Sequence, residues 1–300
     1  MKHEDNHKYG FARLPVFFTP KMVADFSSSS PSAGKPARVV EAWQRLGLPI
    51  EIVEPIPVTA NDFKLAHSAD YVDKILACKI KNGFGNKLAE VADSLIYTTG
   101  SMLSAAREAI RNGNVAVAPC SGFHHAQYAS AFGYCTFNGL MVTALALNAE
   151  GLVTKVGILD FDMHYGDGTA ELIERHDAAS WITHYSAGGE YQTSNQAGEF
   201  IERIPELLSE MRDCDVILYQ AGADPHINDP LGGFLTTAQL KERDKRVFTA
   251  ANHFGIPIAW NLAGGYQVDS GGGIQAILDI HNNTMRECIA VYVCRDGVGS

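Results

Sequence analysis

The sequence lacks three features that define well-known classes of protein. It has no run of about 18 apolar residues, so neither a membrane span nor a signal peptide is indicated and a cytoplasmic location is expected. It has no basic cluster, and its net charge of -10 disfavours contact with a phosphate backbone. Its six cysteines are scattered without a C-x-x-C pair, which predicts reduced thiols rather than disulfides. We therefore expect neither nucleic acid nor a membrane as a partner.

The chain also lacks internal repeats and any linker long enough to divide it, so residues 1–300 are predicted to form a single domain. The apolar spacing predicts helices at 35–46, after Ser68, at 88–111 and from Ile274 to Cys288, with a short strand at 50–53. After residue 112, strand-like runs at 115–118, 156–159, 216–219 and 256–260 alternate with helical segments. This alternation predicts a three-layer α/β fold, with a mostly parallel central sheet flanked by helices.

Polar, glycine-bearing turns follow all four of these predicted strands. In open α/β sheets, ligands bind at the carboxyl ends of the strands, where these turns would lie together. The sequence therefore predicts one site built from four turns: 119–125, 160–168, 220–226 and 261–266.

The turn at 160–168 carries the strongest metal signal. Asp162 and His164 are two residues apart, so in an extended chain both side chains leave on one face. A catalytic metal usually takes three protein ligands, and Asp224, from the end of a neighbouring strand, is the natural third. Such a set suits zinc or ferrous iron.

The tandem His124 and His125 supplies candidates for a general base. Adjacent imidazoles can titrate near neutral pH when a carboxylate orients their far nitrogens, and Asp160 and Asp167 are available for this. For Asp167, capping of the following helix is a serious alternative. Tyr266 follows two glycines and could donate a hydrogen bond to a developing oxyanion.

Aromatic residues near these turns could line a narrow channel for an alkyl chain. Phe123 and Tyr134 are candidate walls, although a plain core position is about equally expected for each. We assign Gly133 and Gly264, which neighbour these candidate side chains, to the same substrate-binding set.

The second half of the chain resembles the histone deacetylase and acetylpolyamine amidohydrolase family, over residues 65–270. Five motifs agree with that family, in the same order: Gly122-Phe123-His124-His125-Ala126, Asp160-x-Asp162-x-His164-x-Gly166-Asp167-Gly168-Thr169, Ala221-Gly222-Ala223-Asp224, Asp229-Pro230-Leu231-Gly232 and Gly264-Gly265-Tyr266.

The resemblance implies an arginase-like α/β fold and hydrolysis of N-acetyl amides of lysine or polyamines. It implies zinc or ferrous iron on Asp162, His164 and Asp224, and a potassium ion near Asp160. It also implies catalytic roles for the two histidines with their aspartates, and polarisation of the acetyl carbonyl by Tyr266.

The chain departs from the family in several places. Tyr165 replaces the usual second histidine, and Pro36-Ala37-Arg38 is the nearest match to a missing N-terminal motif. Asn86 aligns with the rim aspartate that grips peptide backbone in many deacetylases. The loop from Tyr185 to Gly198 lacks the Phe-Phe-Pro-Gly motif, which in family members normally supplies a second wall of the acetyl-lysine tunnel.

The sequence hypothesis is a metal-dependent amidohydrolase that removes an acetyl group from a small acetylated amine, such as a polyamine, or from acetyl-lysine. An arginase-like ureohydrolase with two metals is an alternative, but Gly166 stands where its second metal needs a carboxylate. A catalytically silent binding protein of the same fold is another. A homo-oligomer is left open.

Overall fold

One parallel sheet of seven strands lies at the centre of the computed structural model, which describes residues 12–24 and 30–293. The strands are β1 (Leu14–Phe17), β2 (Ile50–Val53), β3 (Val115–Ala118), β4 (Val156–Asp160), β5 (Ile182–Ser186), β6 (Val216–Gln220) and β7 (Ile258–Asn261). Their spatial order is β2-β1-β3-β7-β6-β4-β5, and every neighbouring pair is parallel.

Nine α-helices within the described residues cover the two faces of this sheet. They are α1 (Lys35–Arg45), α2 (Ala60–Ala66), α3 (Ala69–Leu76), α4 (Ala89–Asn112), α5 (Gly139–Ala149), α6 (Asp167–Arg175), α7 (Ala197–Glu210), α8 (Thr237–Phe254) and α9 (Gln275–Tyr292). Helices α1, α7, α8 and α9 share one apolar core, and α2 to α6 share the other. This arrangement confirms the predicted three-layer α/β fold, and the sheet is wholly parallel in the part described.

Local sequence signals set several of the helix ends. The Ser68 hydroxyl accepts a hydrogen bond from the Tyr71 amide and so caps α3 as predicted. Gly113 and Gly255 end α4 and α8 with φ of 71° and 67°, in the left-handed region where a side chain would be strained. Gly113 and Gly255 therefore end these helices two and three residues before β3 and β7 begin.

The predicted start of β7 was wrong by two residues. Ile256 donates its amide to Ala251 and so belongs to the end of α8, while Pro257 has no amide for a strand ladder. Strand β5 was not predicted, because Thr183, His184 and Tyr185 interrupt the apolar pattern that marks the inner strands. Both errors lie away from the carboxyl ends of the central strands.

The carboxyl ends of the four central strands lie in register. Asp160 pairs with Gln220, Gln220 pairs with Asn261, and Ala118 also pairs with Asn261. Each of β4, β6 and β7 extends to a buried polar residue, so Asp160 ends its strand instead of beginning the turn. The four polar turns therefore begin side by side at the carboxyl edge of the sheet.

The five described cysteines are all free thiols, as the sequence predicts, and Cys294 lies outside the described residues. Within residues 12–24 and 30–293, none of the helices has the length and hydropathy needed to cross a bilayer.

Candidate metal and catalytic site

The predicted metal ligands come together at the carboxyl edge of the sheet. The ligand atoms of Asp162, His164 and Asp224 all lie within 4.8 Å of one another. The Nδ1 atom of His164 is 3.1 Å from Asp162 Oδ1 and 3.2 Å from Asp224 Oδ2. Its Nε2–H donates to the Leu231 carbonyl at 3.1 Å, which leaves the Nδ1 lone pair for a metal.

The charge balance of this cluster fits a divalent cation. Asp162 and Asp224 are buried, and within the described residues neither oxygen of Asp224 has a hydrogen-bond partner of acceptable geometry. Burial and the Asp162 charge raise the pKa of Asp224 to about 8, whereas His124 and His164 hold the pKa of Asp162 low against the effect of its own burial. Two buried carboxylates of this kind stay ionised together only with a compensating cation, and a carboxylate, imidazole, carboxylate set suits zinc or ferrous iron.

His124 and Asp160 form a buried pair beside the metal cluster. The Nδ1 atom of His124 lies 2.8 Å from Asp160 Oδ2, and the Nε2 atom lies 3.6 Å from Asp162 Oδ1. The other Asp160 oxygen accepts from the Asp162 amide and from the Gln220 side chain. Although burial disfavours its charged form, Asp160 and Asp162 raise the pKa of His124 to about 9. The nitrogen that faces the cluster can therefore hold a proton.

His125 and Asp167 form the second pair, closer to solvent. The two atoms His125 Nδ1 and Asp167 Oδ1 are 2.6 Å apart, and the rings of His124 and His125 have centroids 4.1 Å apart. Burial and the neighbouring His124 lower the pKa of His125. The N-cap of α6 is Gly166, not Asp167, so the helix-capping alternative for Asp167 is not realised. The two imidazoles thus differ in environment, one favouring its charged form and the other its neutral form.

Tyr266 lies at the end of the turn that follows β7. Its amide donates to Asp229 Oδ2 at 2.8 Å, and the preceding Gly264 amide donates to Asp162 Oδ2 at 2.8 Å. Burial and the nearby carboxylates of Asp162 and Asp224 raise the pKa of the Tyr266 phenol far above neutral pH. The phenol therefore keeps its proton and can act as a hydrogen-bond donor.

Of the four predicted substrate-binding residues, Phe123 lies in the core, whereas Tyr134, Gly133 and Gly264 lie beside the candidate catalytic and metal-binding residues. Phe123 is buried, with its ring against Gly139, so it belongs to the core, which the sequence left open as an alternative. Tyr134 is only partly buried, and its ring centroid is 5.7 Å from that of Tyr266. Gly133 and Gly264 are needed for close approach, because a Cβ would lie 2.6 Å from the His125 ring and 2.3 Å from Asp224 Oδ2, respectively.

Two buried cations that sequence reasoning missed hold these turns. Lys35 is fully buried, and its ammonium donates to the carbonyls of Ala263 and, at 3.1 Å, Gly264. Arg243 is also fully buried and donates to the carbonyls of Phe161 and Gly222. Both residues lie in helices whose sequence resembles ordinary surface, so no local signal identifies them.

Asn86 and His226 have hydrogen-bond partners other than the candidate metal ligands. His226, which neighbours Asp224 in sequence, has its Nε2 atom 3.0 Å from the Thr237 hydroxyl. The Asn86 side-chain oxygen accepts from Asn82 and from the Leu88 amide, within its own loop. His3 and His7 lie outside the described residues.

An α/β protein with two carboxylate-paired imidazoles and a partly buried tyrosine near a candidate metal cluster, all at the carboxyl edge of a parallel sheet, has the arrangement of a metal-assisted hydrolase. Comparison with known protein families identifies the family of this chain. The chain matches the histone deacetylase domain over residues 32–191 and 189–278, and it therefore belongs to the histone deacetylase family.

Individual relatives are distant. The chain is similar to an uncharacterized protein of Picosynechococcus, with 26% identity over 241 residues, which cover 73% of this chain and 79% of that protein. It is also similar to histone deacetylase 18 of Arabidopsis thaliana, with 28% identity over 291 residues, which cover 79% of this chain. That match spans 42% of the plant protein, so less than half of its length.

Solved structures share the fold. The HDA15 HD domain superposes with a TM-score of 0.75 at 17% identity, covering 95% of this chain and 92% of that one. An acetylpolyamine aminohydrolase from Burkholderia pseudomallei superposes with a TM-score of 0.73 at 18% identity. The superposition covers 93% of this chain and 99% of that one. The fold is thus that of the deacetylases, as the sequence motifs imply.

Proposed function

We propose that this protein is a zinc-dependent amidohydrolase that removes an acetyl group from an amine. The observation that carries the proposal is the pairing of His124 with Asp160 and of His125 with Asp167, directly beside a cluster able to hold a divalent ion. Ferrous iron suits the same ligands, and a potassium ion near Asp160 stays a prediction.

The roles of the side chains follow from their environments. A divalent ion on Asp162, His164 and Asp224 would supply Lewis acidity towards the acetyl carbonyl and acidify water. One imidazole of the tandem takes the proton from the attacking water, and the tandem returns a proton to the amine as it leaves. The Tyr266 phenol, protonated at neutral pH, donates to the oxygen that becomes negative.

For the substrate, we favour a small acetylated amine, such as an acetylated polyamine, over a protein tail. The net charge of -10 attracts cationic molecules. The side-chain oxygen of Asn86 already accepts hydrogen bonds within its own loop, whereas the rim aspartate of many deacetylases binds the peptide backbone of the substrate. Free or peptide acetyl-lysine is the second candidate. A cytoplasmic location and the absence of nucleic-acid and membrane partners stay predictions, and the oligomeric state is open.

A substrate panel tests the proposal. Acetylated polyamines, acetyl-lysine peptides and other acylated small amines would be assayed with the zinc-loaded and the ferrous protein, with His124→Ala as the matched inactive variant. We expect release of acetate and amine by the wild type only. Inactivity towards every acyl amide, with metal bound, would contradict the proposal and favour a silent binding protein. Two manganese ions per chain by elemental analysis would favour a ureohydrolase.

A further inference from the structure

An apolar groove lies on the surface between α7 and α8. Pro205 of α7 forms part of one wall, and Thr249, Ala250 and Phe254 of α8 form part of the other. The groove has a volume of about 280 Å³, and the ring of Phe254 beside it is 36% exposed. Contiguous exposed apolar surface with a polar rim is typical of protein–protein contact sites.

One hydrogen bond fixes the relative heights of the two helices. Pro205 has no amide proton, so the carbonyl of Ile201 lacks its usual donor within α7. The Nη1 atom of Arg246 on α8 donates to that carbonyl at 3.2 Å. Helices α7 and α8 run in the same direction, because each leads into a strand of the parallel sheet. Ile201 and Arg246 therefore mark one level, from which the other residues of both helices can be placed.

The exposed side of α7 carries a row of acidic residues. Glu199, Glu202, Glu206 and Glu210 are all exposed and recur every three or four positions. Carboxylates at this spacing are neighbours on a helix and repel one another. None of the four side chains forms an ion pair or a hydrogen bond with any residue that the structure describes. A cationic surface placed against α7 would relieve this repulsion.

The exposed side of α8 carries cations at matching heights. Lys245 is 59% exposed in its side chain and lies 3.9 Å from Glu242, which is the outer limit of an ion pair. His253 is exposed and forms no ion pair within residues 12–24 and 30–293. At about 1.5 Å per residue from the shared level, Lys245 lies within about 3 Å of the height of Glu202, and His253 within about 3 Å of that of Glu206.

We propose that this face is the contact surface of a homodimer, in which a second copy of the chain docks about a two-fold axis along the groove. Rotation about such an axis keeps the height of every residue and exchanges the two helices, so α7 of each subunit lies on α8 of the other. Glu202 then faces Lys245 of the partner subunit, Glu206 faces His253 of the partner subunit, and the symmetry forms each contact twice. The same docking closes the groove and shields the ring of Phe254 from water. A second copy fits because it neutralises both rows, whereas a partner with one sign of charge would neutralise only one.

Sedimentation velocity of the full chain at about 1 to 100 μM tests the inference. An interface of two helices per subunit is small, so we expect a dissociation constant on the order of 10 μM. One double variant, Glu202→Lys with Glu206→Lys, makes both helices cationic, and the other, Lys245→Glu with His253→Glu, makes both acidic. Each should be monomeric alone, because its dimer would join like charges. An equimolar mixture of the two should regain the dimer, since every contact then joins opposite charges.

The matched control is Glu90→Lys, at an exposed carboxylate on α4, which should dimerise like the wild type. A wild type that stays monomeric at the highest concentration would overturn the inference and assign this face to a different partner. A dimer that survives in either double variant would place the subunit contact elsewhere, and a mixture that stays monomeric would show that the two rows do not meet. These results require no enzymatic activity, so the inference stands or fails independently of the proposed amide hydrolysis.

Discussion

The ammonium of Lys35 lies 3.1 Å from the carbonyl oxygen of Gly264, 229 positions away in the sequence. The amide of the same glycine donates to Asp162, a candidate metal ligand. The lysine therefore fixes the turn that joins β7 to Tyr266 and adds a positive charge close to the buried carboxylates. Burial lowers the pKa of Lys35 to about 8, against the opposing effect of Asp224 and Asp162, so the amine remains mostly protonated at neutral pH.

Lys35→Met should destabilise the metal-free protein by about 3 kcal/mol, because it leaves the buried Ala263 carbonyl without the Lys35 donor and the buried carboxylates without a nearby cation. Urea denaturation at neutral pH measures this change. Lys21→Met, at an exposed lysine near Glu54, is the control and should change the midpoint little. Equal midpoints for Lys35→Met and the wild type would show that the buried charge is not needed for the fold.

His164→Ala should abolish stoichiometric metal binding, because the remaining ligands are two buried carboxylates that repel each other. Elemental analysis after dialysis against zinc should give about one ion per wild-type chain, the usual content of a single catalytic zinc site, and close to none for the variant. His253→Ala, at a histidine on α8, should bind like the wild type. Full zinc content in His164→Ala would place the metal elsewhere.

Tyr266→Phe should lower kcat on an acetylated amine by about 100-fold, the usual effect of removing one donor to a developing oxyanion, with a small change in KM. The comparison with Tyr165→Phe is informative, since Tyr165 follows His164 but is 49% exposed. Tyr165→Phe should stay within a few-fold of the wild type. A few-fold effect of Tyr266→Phe would remove the oxyanion role from this phenol.

His67 should make the fold sensitive to acid. It is buried, with its Nδ1 atom 2.9 Å from the Gln127 carbonyl and its Nε2 atom accepting from the Asn138 amide at 2.9 Å, which holds the neutral tautomer. Burial lowers the pKa of His67 to about 4, although the hydrogen bonds to backbone oppose the shift. The unfolded chain, with a histidine pKa near its ordinary value of about 6.5, binds a proton first as the pH falls.

The stability that His67 contributes is therefore complete above about pH 6.5 and is lost as the pH falls towards 4, by roughly 2 kcal/mol at pH 5. Urea denaturation of the wild type and of His67→Gln at pH 7.5 and pH 5 measures the effect. The variant should lose less stability between the two values, because glutamine does not titrate. Identical losses would assign the acid sensitivity to other buried groups.

The sequence by itself predicted the candidate metal ligands and the aspartate partners of His124 and His125. Asp162 and His164 follow a strand whose apolar residues predict its burial. Because parallel strands end at one edge, Asp224 was predicted as the third candidate ligand, and the structure places it beside the other two. The aspartate partners of the two histidines were predicted in the same way, and the structure places both pairs within hydrogen-bonding distance. Short-range pattern is sufficient here because strand direction alone brings these turns together.

Only the tertiary structure decided which residues surround that cluster. Lys35 begins a helix that sequence pattern treats as amphipathic surface, and its burial depends on packing against a turn more than 200 residues away. The environments of Phe123 and Phe132 were settled in the same way: one lies in the core and the other is exposed over His125. Burial and ring contacts arise from the packing of distant segments, which local periodicity does not encode, and these contacts shape the pocket in which the substrate is chosen.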